Sequence, residues 1–460
     1  MTAKLRSGAL SLTESLVMGV AGSAPGFSIA VALASLIGTA GLLAPGALIL
    51  FAIPMVGITV AYKGLGARMP NAGAGYEWAS RLFGKPFGFA SGWALLVASA
   101  VFTVTGSSPL GAAMLSFVDP GLASNVVLTT AIGAACFLII GVVLMVGIGL
   151  TSKVQMIMSG IEIVILTVVL VAAAAHAILY GAVNPPSWQW LGLSYPPGTF
   201  SATALLVVFF YWGWDVTANL GEETTSEHDG AGTGGFVSVF VTAAYFVAFA
   251  VAALMLFSLK DAQGFSDNLV YHMAIEAGLG RSGALAASLA VILSSVATLE
   301  TQMLQFSRTL FAMGRDGSMP RIFGIVHERT RTPINTMYLL LGVGVALMFL
   351  ASFMSSISLI LADSVKAIAL QVCFYYGLAG LACAWLHRGM WRSHMGRFLF
   401  YAVYPLFSAV CLGGVAIYAF STFDPLTRAV GLGGLLLGGL FFRPKGYSRG
   451  NVAVIASAET

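Results

Sequence analysis

Apolar runs long enough to cross a bilayer recur from one end of this chain to the other, with few charges between them. A spanning helix needs roughly 20 predominantly apolar residues. The pattern predicts twelve transmembrane helices, centred near residues 24, 53, 103, 136, 165, 210, 246, 298, 345, 372, 408 and 434. Charged side chains make up 9% of the 460 residues, whereas a soluble chain carries about 25%. The connections are too short to hide a separate soluble domain. Residues 1–460 therefore read as one all-α integral membrane unit.

Basic residues set the orientation, because cytoplasmic connections collect lysine and arginine. With the N-terminus inside, all but four of the 22 basic residues fall on the inner side or its flanks. The exceptions are Lys260, Arg281 and Arg428 outside, and Lys366 within a helix. This bias predicts an even number of spans in the cytoplasmic (inner) membrane, with both termini cytoplasmic. The net charge of +4 then reflects topology, not nucleic-acid binding. The first apolar run lacks a small-residue cleavage site and reads as a retained helix. Four cysteines lie in apolar runs without CxxC spacing, and six histidines are scattered. Neither pattern suits a metal centre, and no cofactor is implied.

Two of the predicted helices are interrupted. In "SLVMGVAGSAPGFSIAVALASL", Pro25 lacks an amide hydrogen and bars the helical bond to residue 21. Gly19, Gly22 and Gly26 flank it. In "FFYWGWDVTANLGEETTSE", residues 209–227, Gly213 interrupts and Asp215 follows where lipid would normally be. Bare backbone cannot face lipid, so both breaks must face protein or a water-filled cavity. Glycines four apart can also serve only close helix packing. Interruptions at the first and sixth spans, however, point to a transporter of inverted repeats with its substrate near the midplane. The repeats would be about 9–181 and 199–388, followed by extra helices at about 396–443. Freed amides offer an anion site and freed carbonyls a cation site.

With the break in the first span, three segments resemble the amino acid–polyamine–organocation superfamily of permeases. They are "MPNAGAGYEWASRLFGKPFGFASGW" (69–93), "GWDVTANLGEET" (213–224) and "SRTLFAMGRDGSMPRIFGIVHERTRTP" (307–333). The resemblance implies the leucine-transporter-type 5+5 inverted repeat with two added C-terminal helices. It also implies that the substrate carboxylate meets span-one amides, here Ala21, Gly22, Ser23, Ala24 and Gly26 around Pro25. The ammonium would meet span-six carbonyls around Phe209, Phe210, Trp212 and Gly213, with the Phe209 ring closing over the ligand. Trp212 stands where many relatives carry a smaller residue, which disfavours a large neutral side chain or provides a stacking face.

Ionisable residues inside spans are functional candidates by default. Here they are Glu162, Asp215, Glu300, Asp363 and Lys366. Glu162 lies nine positions beyond Lys153, roughly 14 Å into the membrane, and Glu300 lies eight before Arg308, roughly 12 Å deep. Several proton-coupled relatives carry a lysine at the place that Glu162 matches. A carboxylate there could carry a proton, attract sodium or a second substrate amine, or pair with Lys366 for structure alone. Asp363 and Lys366, three apart, share a helix face and could neutralise each other or serve an outer gate. Asp215 could cap or orient the broken helix, and Ser294, Ser295 and Thr298 could ligate sodium. Arg308, Arg315 and Asp316 are ion-pair candidates at an inward gate, and a solvated, topology-setting face suits the arginines equally. Trp188, Trp190 and Tyr195 fit an interfacial belt, and residues 224–235 read as a flexible link.

The expected activity is secondary active transport of a small amino acid by alternating access, with proton symport. The alternative is amine or polyamine carriage, or exchange. A channel would need a polar pore stripe, and an enzyme would need a catalytic pair; neither is visible in the sequence.

Overall fold

The computed structural model describes residues 4–192, 194–225, 230–265, 268–354, 357–423 and 425–442. Among them all the regular elements are helices, and one isolated bridge joins Leu10 and Thr224. Helices α1 (Leu12–Ser23), α2 (Pro25–Phe27) and α3 (Leu33–Ala40) make the first run, with a π turn at Ser28–Ala32. Helices α4 (Ala44–Arg68), α5 (Gly75–Phe83), α6 (Lys85–Ser116), α7 (Val126–Val146) and α8 (Ile148–Tyr180) follow. The second interrupted run comprises α9 (Pro197–Phe210) and α10 (Val216–Asn219), ahead of α11 (Gly230–Leu256). Short α12 (Leu259–Gly264) and α13 (Leu269–Glu276) precede α14 (Gly280–Arg315), α15 (Ile334–Ala351) and α16 (Ile357–Leu386). Helices α17 (Met395–Phe398), α18 (Tyr404–Thr422) and α19 (Pro425–Phe441) complete the described chain.

Nine stretches among the described residues are long and apolar enough to cross a membrane, and Gly198–Phe210 and Thr427–Phe441 are shorter apolar helices. The first stretch, Leu12–Arg68, has 57 residues. Laid straight it would measure about 86 Å, against a hydrocarbon core of roughly 30 Å. It must fold back, and it turns at the 3-10 segment Gly41–Leu43. Both of its ends consequently reach one end of the bundle. There the Ala9 amide donates to the Glu223 carbonyl at 2.8 Å, and Asn219 Nδ2 donates to the Ala72 carbonyl at 2.7 Å. A capping box starts the run: Ser11 Oγ accepts from the Glu14 amide at 3.2 Å, and Glu14 Oε2 from the Ser11 amide at 2.8 Å.

Helices α6, α14 and α16 form the centre. α14 packs on α6 and α8, α16 packs on α6, α18 and α4, and α11 packs on α1 and α4. The outward face of α8 exposes Val164, Val168 and Val171, while its inward face buries Ser152, Gln155, Ser159 and Glu162. Polar residues inside and large aliphatic ones outside invert the arrangement of a water-soluble helix. Two local expectations change. Residues 230–235 begin α11 instead of continuing a link, and residues 226–229 lie outside the described ones. Trp190 is buried against α4, where a methyl group on Gly46 would stand 2.5 Å from its carbonyl oxygen, whereas Trp188 is exposed.

Candidate functional site

The first run breaks at Ala24, whose φ of 48° and ψ of 66° are left-handed. A residue with a Cβ costs about 1–2 kcal/mol in that conformation, so surrounding contacts must hold it there. Pro25 restarts the helix and has no amide to lose. The next two amides are orphans of the new N-terminus. Gly26 N donates to Glu162 Oε1 at 2.9 Å, and Phe27 N donates to Ser294 Oγ at 3.1 Å. Before the break, the Gly22 carbonyl accepts from Thr298 Oγ1 at 3.1 Å. Side chains of α8 and α14 thus supply what the interrupted helix lost.

The second run breaks between Phe210 and Val216. Gly213 has φ 101°, a region open to glycine and strained for other residues. The two breaks touch backbone to backbone. A methyl group on Gly22 would lie 2.2 Å from the Gly213 carbonyl oxygen, and one on Gly213 would lie 2.1 Å from that of Gly22. Asp215 is fully buried and accepts from Gln305 Nε2 at 2.6 Å, Tyr375 OH at 3.0 Å and Tyr376 OH at 2.9 Å. Tyr375 OH in turn accepts from Trp212 Nε1 at 2.6 Å. Asp215 therefore ties the break to α14 and α16. Its side chain makes no capping bond to α10, which leaves orienting the segment of its two expected roles. Asp215→Ala is expected to strand three buried donors, at about 1–3 kcal/mol each before relaxation. Thermal unfolding in detergent should show a large fall, and Asp215→Asn a smaller one.

Beyond the breaks lies a cavity of about 480 Å³. Phe27, Val31, Thr105, Phe209, Val365 and Lys366 are among its lining residues. Phe209 joins an aromatic cluster between cavity and break, with ring centroids 6.4 Å from both Phe102 and Trp212. Phe102 also meets Phe27 at 6.0 Å and Trp212 at 5.5 Å.

The opposite end is sealed by charge. Arg308 and Glu223, at most 1% exposed, pair through Nε–Oε2 at 3.0 Å and Nη2–Oε1 at 3.1 Å. Arg315 Nη1 lies 3.1 Å from Glu222 Oε1, which also accepts from the Ala72 amide at 2.9 Å. Asp316, just past α14, is pushed up to about 6 by burial and then by Glu77. Arg315, at 3.7 Å, offsets only part of this. An acid raised in the folded state contributes stability below its ordinary value near 3.8 and loses it as pH rises through the folded value. Asp316→Asn is thus expected to raise thermal stability at pH 8 and to leave it unchanged below pH 4. Melting curves across that range provide the check.

The structure brings together Gly22, Ala24, Pro25, Gly26, Glu162, Phe209, Trp212, Gly213 and Ser294 at the two breaks or beside the cavity. Ala21, Gly22 and Ser23 remain inside the last turn of α1, so the amides freed by the break are those of Gly26 and Phe27. Phe210 turns away and packs on Phe246 at 4.9 Å. Glu162 Oε1 accepts from the Gly26 amide. Ser295 bonds its own helix at Val291. Glu300 is buried, and none of the described residues donates a hydrogen bond to it. Lys366 lines the cavity, and the Asp363 side chain lies outside the described residues. No group of three or more metal-ligating side chains occurs among the described residues.

Sequence reasoning missed Glu223, Gln305, Tyr375 and Tyr376. The tyrosine pair inside an apolar helix and the "GEE" after the second break were the available signals.

Residues 9–431 match the amino acid permease family. The chain is 25% identical over 326 residues to vacuolar cationic amino acid transporter 4 of Arabidopsis thaliana, spanning 64% of this chain and 50% of that protein. It is 24% identical to a branched-chain amino acid permease of Lactococcus lactis, over 66% of this chain and 68% of the relative. It is 21% identical to Asc-type amino acid transporter 1 of Mus musculus, over 84% and 72%. The chain spans about half the length of the plant transporters that it matches. A family match over nearly the whole chain, on a bundle of apolar helices with two interrupted runs, has one consequence: the chain belongs to the amino acid permease family, within the amino acid–polyamine–organocation superfamily, and is a multi-pass membrane protein.

Proposed function

We propose that this protein is a secondary active permease that moves a small amino acid by alternating access, coupled to a proton on Glu162. The proposal includes twelve crossings in a 5+5 inverted repeat plus two helices, with both termini in the cytoplasm. The observation that carries it is the contact of the two breaks at Gly22 and Gly213. This contact lies behind an aromatic cluster on the cavity side and a buried ion pair on the other. A site screened from both ends suits occlusion better than continuous conduction. The amino acid names of the relatives support the cargo class. Asp215 already accepts three donors, which leaves it poorly placed to receive an extra substrate ammonium.

A second reading, amine carriage or exchange, is favoured by one contact. Glu162 occupies the Gly26 amide, where the carboxylate of an amino acid would compete with it.

The test is proteoliposome uptake of a labelled amino-acid panel that includes putrescine and spermidine, with wild type and Glu162→Gln compared. One pH unit is worth about 1.4 kcal/mol per proton, or about tenfold accumulation for one proton per substrate. Wild type is expected to accumulate an amino acid only with the gradient inward, and Glu162→Gln to exchange without accumulating. Entry of amines alone, or wild-type accumulation by the variant, would overturn the reading.

A further inference from the structure

The buried face of α8 changes character at Glu162. From the Lys153 end its inward positions include Thr151, Ser152, Gln155, Ser159 and Glu162; beyond Glu162 they are Leu166, Val169, Ala173 and Ala177. The 3- and 4-residue steps put all of these on one stripe. Between Thr151 and Glu162 the stripe is polar, with Ile148 one turn before it, and beyond Glu162 it is apolar.

The polar half contains groups that the protein does not satisfy. Gln155 is fully buried and Ser159 is 4% exposed, yet Gln155 Oε1, Gln155 Nε2 and Ser159 Oγ lack hydrogen-bond partners among the described residues. On α14, both amide atoms of Gln302 are equally unpartnered. Its Nε2 lies 2.9 Å from where a methyl group on Gly213 would stand, at the break itself. Leaving buried polar groups without partners is unfavourable. A line of them persists in a folded protein when it has water to bind. The stripe also reaches the surface, because Ser152 Oγ donates to Glu14 Oε1 at 2.9 Å and Glu14 is half-exposed. From Ser152 to Glu162 the rise is about 15 Å.

We infer that this stripe is a hydrated proton route between Glu162 and the end of the bundle carrying Lys153, Arg308 and the N-terminal segment. The route rests on the reading of Glu162 as the coupling carboxylate. It makes proton exchange one-sided, since Leu166, Val169, Ala173 and Ala177 close the stripe toward the other end. The titratable groups on helices packed against α8 are Glu14 on α1, Glu300 and Arg308 on α14, and Tyr245 on α11. Arg281 and Arg315 at the two ends of α14, Tyr271, His272 and Glu276 on α13, and Cys136 on α7 complete them. Arg308 is held by Glu223 and Tyr245 by Thr167, and Glu14 accepts from Ser152 on the stripe.

The test plugs the stripe without touching Glu162. Gln155→Leu and Ser159→Val are reconstituted beside wild type, Gln155→Asn and Glu162→Gln. Proton influx is followed with an entrapped pH dye, and labelled substrate counterflow is followed at equal pH. The plugs are expected to slow gradient-driven proton and substrate entry at least tenfold, with counterflow within about twofold of wild type; Gln155→Asn should keep most of the coupled rate. A Gln155 of purely structural role would give the opposite result, because Leu removes an unsatisfied amide and should only stabilise. Coupled rates near wild type in both plugged variants, with Glu162→Gln uncoupled, would overturn the route and leave the coupling assignment standing. Accumulation by Glu162→Gln would overturn both.

Discussion

A single methyl group added at Gly213 is expected to eliminate folded, active protein. The new Cβ would stand 2.1 Å from the Gly22 carbonyl oxygen, and neither atom belongs to a side chain that could rotate away. Overpacking of this kind costs about 1–3 kcal/mol or more. The φ of 101° at Gly213 adds about 1–2 kcal/mol of backbone strain for a residue with a Cβ. Gly22→Ala meets the same clash from the other side, at 2.2 Å. Gly160→Ala in α8 and Gly342→Ala in α15 are the controls, since nothing lies within 4 Å of a methyl group at either. Alanine there should be neutral or slightly stabilising. The readouts are the monodisperse fraction and the melting temperature in detergent, followed by substrate uptake. Retention of both by Gly213→Ala would mean that the breaks do not meet in the membrane as they do in this structure.

Both interruptions were legible in the sequence because glycine and proline state backbone requirements locally. Pro25 cannot continue a helix, and "WGWD" cannot pass for a lipid-facing turn. The exact hinge was less legible. The left-handed residue is Ala24, and nothing in an alanine announces that conformation; tertiary contacts from Glu162, Ser294 and Thr298 impose it. The position of Glu162 along α8 could be counted from the sequence, but its partner could not. Which of several amides or ammonium groups meets a carboxylate depends on how α8, α14 and the first run pack. The same limit hid the Asp215 network, whose donors Gln305, Tyr375 and Tyr376 come from helices 90 or more residues away. Arg308 was legible as half of an ion pair. Its near-total burial was not, since arginines near helix ends are commonly solvated anchors.

That burial makes Arg308→Ala the other large expected effect. Removing one partner leaves Glu223 charged and enclosed, at about 3–5 kcal/mol. Arg315→Ala should cost about 1 kcal/mol or less, because its pair with Glu222 is partly exposed. Glu223 also receives the Ala9 and Leu10 amides on its carbonyl, and Leu10 accepts from the Thr225 amide. Loss of the pair therefore loosens the N-terminal segment as well. Pairing Arg308→Met with Glu223→Leu separates stability from cycling. Well-packed apolar residues in place of a buried ion pair are often neutral or stabilising by about 1–4 kcal/mol, so the double variant should melt near wild type. Under the proposed cycle it should nevertheless transport slowly. Opening this end returns two charges to water, whereas the apolar replacements expose about 0.8 kcal/mol of surface per CH₂. Melting curves and uptake rates for the singles and the double complete a double-mutant cycle. A stable double variant with wild-type uptake would show that this end does not open during transport.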